Sequence, residues 1–307
     1  MKSYKRMIHN KVSGKLLELD AFRATSTAKN RSHTSRHRVF KKLVYDFYKD
    51  NRRVFPWRQT TDPYAVLVSE IMLQQTQADR VVPQFTTFIK QFPNLEVLAA
   101  APLSRVIAAW QGLGYNRRAR MLHECAQKII HIHAGYVPSD IDTLTALPGI
   151  GTYTAAAVRA FAFNLPAVVL DTNIRSVYIY YFFRHAKRKI TDREIAPLVA
   201  IGMDTKNPRE WYSALMDLGA FLKRVTSNPS KKSATYQMQS AFKGSSRQIR
   251  GALLRHIVRH RRSSASEVHA DLVSQKLGTD MSRTVQLLGD LVKDSLLKQD
   301  GAYFDLP

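Results

Sequence analysis

The sequence predicts an all-α protein that ends in a small module of three helices and a β-hairpin. From Val39 to about Phe221, apolar residues recur at three- and four-residue spacing, as in Phe40–Val44–Phe47, which is the period of an amphipathic helix. No sustained two-residue alternation occurs in this stretch, so a β-sheet core is not expected there. Turn signals such as Asp62-Pro63 and Pro148-Gly149 separate the helical stretches.

The composition favours a protein that binds nucleic acid. The chain has 307 residues, which is enough for two compact domains, and 45% of them are hydrophobic. Lys and Arg total 47 against 24 Asp and Glu, for a net charge of +23 and a pI near 10.2. A surplus of that size repels itself unless a polyanion neutralises it, so nucleic acid is the first candidate partner and an anionic membrane surface the second.

Membrane insertion and a structural role for cysteine are not expected. No apolar stretch approaches the roughly 20 residues of a spanning helix, and the first residues contain no apolar signal-peptide core. The single cysteine, Cys125, excludes an internal disulfide and a multi-cysteine metal site. We expect it to be a packed, inert thiol in a reducing compartment.

The termini differ in character from the helical region between them. Residues 1–38 form a basic arm whose composition fits a phosphate-binding segment, an organellar transit peptide or a terminus with no role. Residues 39–225 are the main helical domain, and residues 226–248 are a polar, basic connector.

Residues 249–307 are predicted to form a winged-helix-like module. A helix is expected from Ile249 to Val258, and a capping box at Ser264 and Glu267 begins a second one that ends near Gly278. A third helix is expected over residues 281–296, followed by a hairpin at Asp300-Gly301. Such a module binds either DNA or another protein.

The first candidate motif runs from Ser69 to Gln77. The helical projection places Tyr64, Leu67, Val68, Ile71 and Met72 on one apolar stripe, with Glu70 well off it. Taken alone, this position indicates a solvated charge. The glutamines of the motif are of a type that pairs with base edges and inserts into a base stack.

Two further motifs carry potential binding and acidic groups. The segment Leu147–Thr154 has two glycines that permit a tight turn at a helix N-terminus, where backbone N–H groups bind a phosphate; this is typical of a helix-hairpin-helix DNA contact. Asp171 follows a buried apolar run and precedes a helix, which predicts an N-cap. A cap at the end of a buried segment can also direct its carboxylate into a cleft.

Together these motifs resemble the helix-hairpin-helix (HhH-GPD) DNA glycosylase superfamily, and within it the adenine DNA glycosylase (MutY) branch. The resemblance covers roughly residues 39–222 and implies a two-lobed helical fold with a cleft between the lobes. The matching segments are Phe55-Pro56-Trp57-Arg58, Asp62-Pro63-Tyr64, Ser69–Gln77, Gly112-Leu113-Gly114-Tyr115, Leu147–Thr154, Asp171–Val177 and Ala214–Ala220.

The resemblance implies roles for four candidate catalytic residues. Glu70 matches the acid that protonates the adenine ring and later handles water, a role that needs a raised pKa. Asp171 matches the carboxylate that stabilises the sugar cation, and Asn173 matches a residue that orients these groups. Tyr153 stands where related bifunctional enzymes carry a Schiff-base lysine, so strand-cleaving lyase chemistry is not expected.

The resemblance also implies a set of DNA contacts. Gln75 and Tyr115 match residues that wedge into the stack beside the flipped base. Hairpin carbonyls are candidate ligands for an alkali cation, and no other metal site is expected. The complete set of predicted DNA-contacting residues is Arg58, Gln74, Gln75, Thr76, Tyr115, Leu147, Gly149, Ile150, Gly151, Thr152, Lys231 and Lys232.

The sequence departs from the family pattern in two places. Residues 223–247 lack the cysteines of the family's iron–sulfur cluster, so we expect no cluster and no other cofactor. The residues after Arg247 are too few and too helical for the Nudix-like domain that recognises 8-oxoguanine in many relatives, which leaves the opposite-base preference open.

The expected function is excision of adenine mispaired with guanine or 8-oxoguanine by a monofunctional glycosylase of base excision repair. A thymine or uracil mismatch glycosylase and a non-catalytic reader of damaged DNA are the alternatives. The expected partner is double-stranded DNA with a mispaired or damaged base, bound by a monomer. The expected compartment is the cytoplasm with its nucleoid in a bacterium, or the nucleus or an organelle elsewhere.

Overall fold

The computed structural model describes residues 33–239 and 241–307. The basic arm predicted for residues 1–38 lies outside the described residues, apart from its end, which forms the start of the first helix. The described residues divide into two compact units: residues 33–53 with Asn164–Gln237 are the first unit, and Val54–Phe163 with Met238–Pro307 are the second unit.

Helices make up most of both units, so the predicted all-α class is confirmed. In chain order the elements of the described residues are α1 (His33–Asn51), α2 (Pro63–Leu73), α3 (Ala78–Gln91), α4 (Leu95–Ala100), α5 (Leu103–Ala109), α6 (Arg117–Ile132), α7 (Ile141–Thr145), α8 (Thr152–Phe163), α9 (Thr172–Phe182), α10 (Asp192–Gly202), α11 (Pro208–Val225), α12 (Ser246–His260), β1 (Ser263–Ser264), α13 (Ala265–Ser274), α14 (Met281–Lys293), β2 (Lys298–Asp300) and β3 (Tyr303–Asp305). Short 3₁₀ turns cover Pro56–Arg58 and Pro229–Lys232. None of the helices in the described part of the chain is long and apolar enough to span a membrane.

The first unit packs α9 against α11, α10 and α1 around an aromatic core. Phe40 of α1 contacts the rings of Tyr178 and Trp211 edge-on, with centroids 5.4 and 6.0 Å apart. Helix α11 approaches the start of α9 at Gly219, where an added Cβ would lie 2.2 Å from the carbonyl oxygen of Asn173. Only glycine permits this contact, which fixes the beginning of α9.

The second unit has α2 at its centre, in contact with α3, α6 and α8. Asp62 caps its N-terminus by accepting bonds from the backbone N–H groups of Tyr64 and Ala65. Every residue from Tyr64 to Met72 is buried, although the sequence predicted a single apolar stripe. The interpretation of Glu70 as a solvated charge is therefore wrong, because helices cover α2 on the face that carries it.

The C-terminal helices and hairpin form in the predicted order of a winged-helix module. The three strands pair antiparallel in the order β1-β3-β2, with Phe304 of β3 opposite Ser263 on one side and Gln299 on the other. The predicted capping box of Ser264 and Glu267 is present at the start of α13. The core of the module includes Ile107 of α5, so the module packs directly on the helical part of the second unit, to which it belongs.

The first part of the polar connector, up to Gln237, belongs to the first unit and is bonded to it through its backbone. The backbone of Ile190 donates to the carbonyl of Lys232 over 2.8 Å, and its own carbonyl accepts from Ala234 over 2.8 Å. Helix α12 begins at Ser246, inside the range predicted for the connector, because Ser245 supplies an N-cap to Gln248.

Candidate catalytic groups and nucleic-acid interface

Glu70 lies on the buried helix α2 with only 4% of its surface exposed. The phenol of Tyr153, from α8, donates a hydrogen bond of 3.2 Å to its Oε2 atom. Because α2 and α8 pack against each other, the acid and the phenol belong to one rigid contact within the second unit. The carboxyl is thus shielded from bulk water and held in place, which a positioned general acid requires.

Asp171 is the N-cap of α9 in the first unit, as its sequence context predicted. Its Oδ1 accepts from the backbone N–H of Ile174 over 2.6 Å. Its Oδ2 accepts from the side-chain amide of Asn173 over 2.7 Å. Both carboxylate oxygens are therefore fixed by local donors, and the role predicted for Asn173 in orienting the catalytic groups stays a prediction.

Lys223 is a half-buried cation that the sequence did not single out. It lies near the end of α11, where desolvation lowers the pKa of its ammonium group while the charge of Asp171 opposes that shift. The charge of Asp171 therefore stabilises the protonated form of the Lys223 side chain.

The predicted hairpin precedes α8 and is anchored by apolar side chains. Leu147 and Ile150 are 3% and 5% exposed, so any DNA contact they make is through their backbone. Gly149 has a φ of +76°, and a Cβ there would lie 2.9 Å from the Cβ of Met121. Gly151 and Thr152 are exposed at the N-terminus of α8, where backbone N–H groups suit an anion.

Gln74 joins the end of α2 to this hairpin. Its side-chain amide donates to the carbonyl of Gly149 over 3.4 Å and to the hydroxyl of Thr154 over 3.1 Å. The Gln74 side chain, which is predicted to contact DNA, therefore has a structural role in the protein itself, because it joins the segment after Glu70 to the hairpin.

The two predicted wedge residues share an unusual backbone conformation. Gln75 has a φ of +56° and Tyr115 a φ of +49°, in the left-handed region that side-chain-bearing residues rarely adopt. Gln75 is exposed and Tyr115 is half-buried. Strained backbone of this kind persists only where the surroundings fix it, and it is common at functional sites.

Arg118 fixes the backbone of both wedge segments. It is 8% exposed, and its guanidinium donates to seven oxygen atoms of the α2 end and of the loop before α6. Desolvation lowers its pKa to about 10, which leaves it charged at neutral pH. The acceptors are the hydroxyl of Thr76 (3.1 Å) and the carbonyls of Ile71 (2.7 Å), Met72 (2.8 Å), Gln74 (2.7 Å), Leu113 (3.5 Å), Gly114 (3.0 Å) and Tyr115 (3.4 Å).

The remaining predicted DNA contacts occupy different environments. Arg58 is half-buried with its guanidinium 5.2 Å from the ring centre of Phe55. Lys231 is exposed on the connector. Lys232 instead donates to the carbonyls of Arg184 over 2.6 Å and Ala186 over 3.0 Å, so its ammonium holds the connector on the first unit.

Sequence reasoning missed Arg118 and two residues that contact Tyr115. Arg247 donates to the phenol oxygen of Tyr115 over 2.7 Å, and Gln239 donates to the same atom over 2.8 Å. No local pattern distinguishes these side chains, because Arg118 stands in a run of arginines and Arg247 in a polar, basic segment.

The donor set does not fit an iron–sulfur cluster. Such a cluster needs thiolates, and the connector that follows α11 contains none. Cys125 is buried in α6 of the second unit, where desolvation raises the pKa of its thiol to about 12, as expected for an inert thiol. In the described ranges, no group of three or more His, Cys, Asp or Glu side chains is placed to hold a metal ion.

Comparison with known proteins adds independent information. The family model for HhH-GPD superfamily base excision DNA repair proteins matches residues 68–200. An adenine DNA glycosylase of Mycolicibacterium smegmatis is 34% identical over 278 residues, which cover 85% of this chain and 94% of that protein. An adenine DNA glycosylase of Mycobacterium tuberculosis H37Rv is 40% identical over 177 residues, covering 57% of this chain and 58% of that protein. A solved thermostable thymine-DNA glycosylase is similar with a TM-score of 0.54 and 30% identity, over 60% of this chain and 86% of that one.

Proposed function

The chain belongs to the HhH-GPD superfamily of base excision DNA repair proteins, and on that premise we propose that it is a monofunctional adenine DNA glycosylase. It hydrolyses the N-glycosidic bond of an adenine mispaired with guanine or 8-oxoguanine in duplex DNA. The observation that carries this proposal is the buried Glu70 with Tyr153 bonded to its carboxyl. Relatives named for adenine excision match this chain, one of them over nearly its whole length.

Glu70 is the proton donor in this proposal. Its carboxyl gives a proton to the ring of the flipped adenine, so the base leaves neutral with the electron pair of the glycosidic bond. The sugar is left as an oxocarbenium-like cation. The Glu70 carboxylate then accepts a proton from the water that attacks the sugar carbon, which restores the acid. Tyr153 holds the carboxyl in position through both steps.

Asp171 supplies the negative charge that the sugar cation needs. An ionised carboxylate fixed before the reaction stabilises the developing charge without reorganising. Asn173 and the backbone of Ile174 fix its two oxygens, which supports that role. The cap geometry and the proposed chemistry use the same carboxylate.

Tyr153 supports hydrolysis without strand cleavage. A lyase step needs an amine that forms a Schiff base with the sugar, and position 153 carries a phenol. We therefore expect an abasic site as product, with strand breaks only after alkali.

The charge and the hairpin support binding to the DNA backbone. A net charge of +23 favours a polyanion, and the exposed N-terminus of α8 offers backbone donors to a phosphate. The missing connector thiolates support an enzyme that works without an iron–sulfur cluster. A single chain supplies every group that this proposal uses, so we propose that it acts as a monomer on nucleoid or nuclear DNA.

Thymine or uracil excision is the second candidate, favoured by the likeness to a thymine-DNA glycosylase. A panel of end-labelled duplexes containing A·8-oxoG, A·G, T·G and U·G, treated with alkali after incubation, separates the two. The adenine proposal expects cleavage at adenine in the first two duplexes. Preferential cleavage at thymine or uracil would overturn it.

The same panel with Glu70→Gln separates an enzyme from a non-catalytic reader. The substitution keeps the shape of the side chain but removes its acid. Loss of base release with duplex binding retained supports the enzyme, whereas unchanged behaviour on every duplex would mean that Glu70 has no chemical role.

A further inference from the structure

We propose that the C-terminal module binds duplex DNA through the outward face of its first helix, α12, whose exposed arginines contact backbone phosphates beyond the wedge residues. This inference rests on the proposed function only in taking duplex DNA as the partner. It gives a role to a module that supplies no group to the proposed chemistry, and it makes α12 the DNA-binding element instead of α14 and the β2–β3 hairpin.

The segment around α12 carries positive charge only. Residues 243–262 contain one lysine and six arginines and no aspartate or glutamate. Arg255 and Arg259 are exposed and four residues apart, which puts them on one face of the helix, and the exposed Arg261 follows directly after it. Among the described residues, no carboxylate forms an ion pair with these three arginines. Like charges at this spacing repel each other, so a polyanion that neutralises them is the fitting partner.

Core packing turns this face of α12 outward. Ile249, Leu253 and Ile257, on the opposite side of the helix, are fully buried in the core of the module. Ile107 of α5 belongs to the same core, so α12 is fixed on the helical part of the second unit. The arginines therefore extend from a rigid element, which lowers the entropy cost of each phosphate contact.

Helix α14 does not offer a comparable face. It exposes the apolar side chains of Met281 and Val285, which are 41% and 48% exposed. Its Arg283 is half-buried and donates to the carbonyl of Gly244 and to the hydroxyl of Ser246, over 3.3 Å each. Arg283 thus holds the start of α12, and the outward face of α14 suits an apolar contact better than a phosphate backbone.

The end of α14 and the β2–β3 hairpin carry balanced charge. Lys293 and Lys298 are exposed there. Each stands within two positions of an aspartate, Asp294 and Asp300 respectively. A neighbouring carboxylate weakens the attraction of a lysine for a polyanion. The two lysines are therefore a control pair that carries the same charge as Arg255 and Arg259 but is not expected to bind phosphates.

The outward face of α12 continues the interface proposed around the wedge residues. At the first turn of the helix, Arg247 donates to the phenol oxygen of Tyr115 over 2.7 Å. One cavity is lined by Gln75 and Tyr115 from the helical part and by Arg247 and Arg250 from α12. Arg259 stands twelve positions after Arg247, which is about 18 Å along the helix axis, or about five base pairs of duplex. A duplex whose stack is opened at Tyr115 can therefore follow α12 as far as Arg259.

Salt-dependent binding of undamaged DNA tests the inference. A fluorescent duplex of about 30 base pairs is titrated with protein by anisotropy at salt concentrations from about 50 to 200 mM. Wild type is compared with Arg255→Ala/Arg259→Ala and with the control Lys293→Ala/Lys298→Ala. Each double variant removes two positive charges from the net charge of +23, so the total charge of the two is matched. Thermal unfolding verifies that every variant retains the fold.

The expected result is a loss confined to the arginine pair. Arg255→Ala/Arg259→Ala should reduce the slope of log K against log salt by about 1.8, because each lost phosphate contact removes about 0.9. Its affinity should fall roughly tenfold or more. Arg255→Lys/Arg259→Lys keeps both charges and should retain most of the slope. The lysine control should keep the slope and affinity of wild type.

Three outcomes of the duplex titration would overturn the inference. They are an unchanged slope in Arg255→Ala/Arg259→Ala, an equal reduction in both alanine double variants, and a reduction confined to the lysine control, which would place the duplex on α14 and the β2–β3 hairpin. Vesicles of phosphatidylserine and phosphatidylcholine are titrated alongside, and an arginine variant that loses only vesicle binding would identify a membrane surface instead.

A separate measurement distinguishes failure of this inference from failure of the proposed function. Adenine release by wild type is followed on an A·G duplex. If release is absent while Arg255→Ala/Arg259→Ala still loses slope, the proposed function fails and the DNA-binding face of α12 stands. If release occurs and the slope is unchanged, only the role of α12 is overturned.

Discussion

The phenol of Tyr153 lies 3.2 Å from the Oε2 atom of Glu70 and donates a hydrogen bond to it. The two residues are 83 positions apart in the chain and meet because α8 packs on α2. The hairpin that precedes α8 is joined to the segment after α2 through Gln74. The orientation of the proposed acid therefore depends on the same element that is proposed to bind a DNA phosphate.

Tyr153→Phe removes the phenol oxygen and with it the hydrogen bond to Glu70. Since a hydrogen bond to a charged or proton-donating group is worth about 1.5–3 kcal/mol, we expect the excision rate to fall roughly tenfold or more. Duplex binding should stay unchanged. Single-turnover rates and a binding titration measure the two effects. Tyr136→Phe is the control, because that side chain is 78% exposed; equal rates for both variants would mean that the bond does not position Glu70.

Asp171→Asn separates the structural role of this residue from its proposed chemical role. Asparagine caps a helix about as well as aspartate, so stability should change by less than about 1 kcal/mol. Loss of the charge should reduce excision about 100-fold or more. Asp171→Ala lacks both the charge and the cap. Its free energy of unfolding should therefore be about 1 kcal/mol lower than that of Asp171→Asn. Denaturant unfolding and excision assays are run side by side. Full activity of Asp171→Asn would contradict the proposed role of the charge.

Gly219→Ala tests the close approach of α11 to α9. The Cβ of the new alanine would lie 2.2 Å from the carbonyl oxygen of Asn173, so α11 and α9 must move apart. We expect the free energy of unfolding to fall by about 3 kcal/mol. Gly289→Ala in α14 is the matched control, since no atom lies within 4 Å of its added Cβ. The free energy of unfolding of that variant should rise by about 0.5–1 kcal/mol, because alanine favours the helical conformation more than glycine does. Thermal unfolding compares them, and similar melting temperatures would refute the close contact.

Arg118→Met should destabilise the second unit strongly. The substitution leaves several backbone carbonyls next to Glu70 and Tyr115 without a hydrogen-bond donor. We expect the free energy of unfolding to fall by about 3 kcal/mol or more. Arg117→Ala is the comparison, because the neighbouring side chain is exposed and its removal should cost less than about 0.5 kcal/mol. Urea unfolding measures both. A near-neutral Arg118→Met would show that the carbonyls find other donors.

Cys125 provides a pH-dependent test of the core. Burial raises the pKa of its thiol from 9.0 to about 12, so the folded protein keeps the proton that the unfolded chain releases above about pH 9. The stability linked to this thiol is therefore present below pH 9 and is lost as the pH rises toward 12. At pH 8, iodoacetamide should label the unfolded chain fully and the native protein very slowly, as followed by mass spectrometry. Fast labelling of native protein would contradict a buried thiol.

The sequence alone determined the features that depend on neighbouring residues. The N-cap at Asp171 and the capping box at Ser264 and Glu267 were predicted and are present, because a cap bonds backbone only two or three positions away. The all-α class and the adenine glycosylase branch were also predicted, and the fold and the relatives confirm them. The roles of the individual site residues stay predictions.

Tertiary structure alone decided the environments of the site residues. Periodicity indicated an exposed Glu70, yet α2 is covered on every face, and a pattern within one helix does not reveal how many neighbours pack on it. The bond between Arg247 and Tyr115 spans 132 positions, and the contact of Gly219 with Asn173 joins two separate helices. Such contacts depend on how distant helices dock in space. A sequence therefore specifies caps and helices locally, whereas burial and side-chain pairing arise only when the chain has folded.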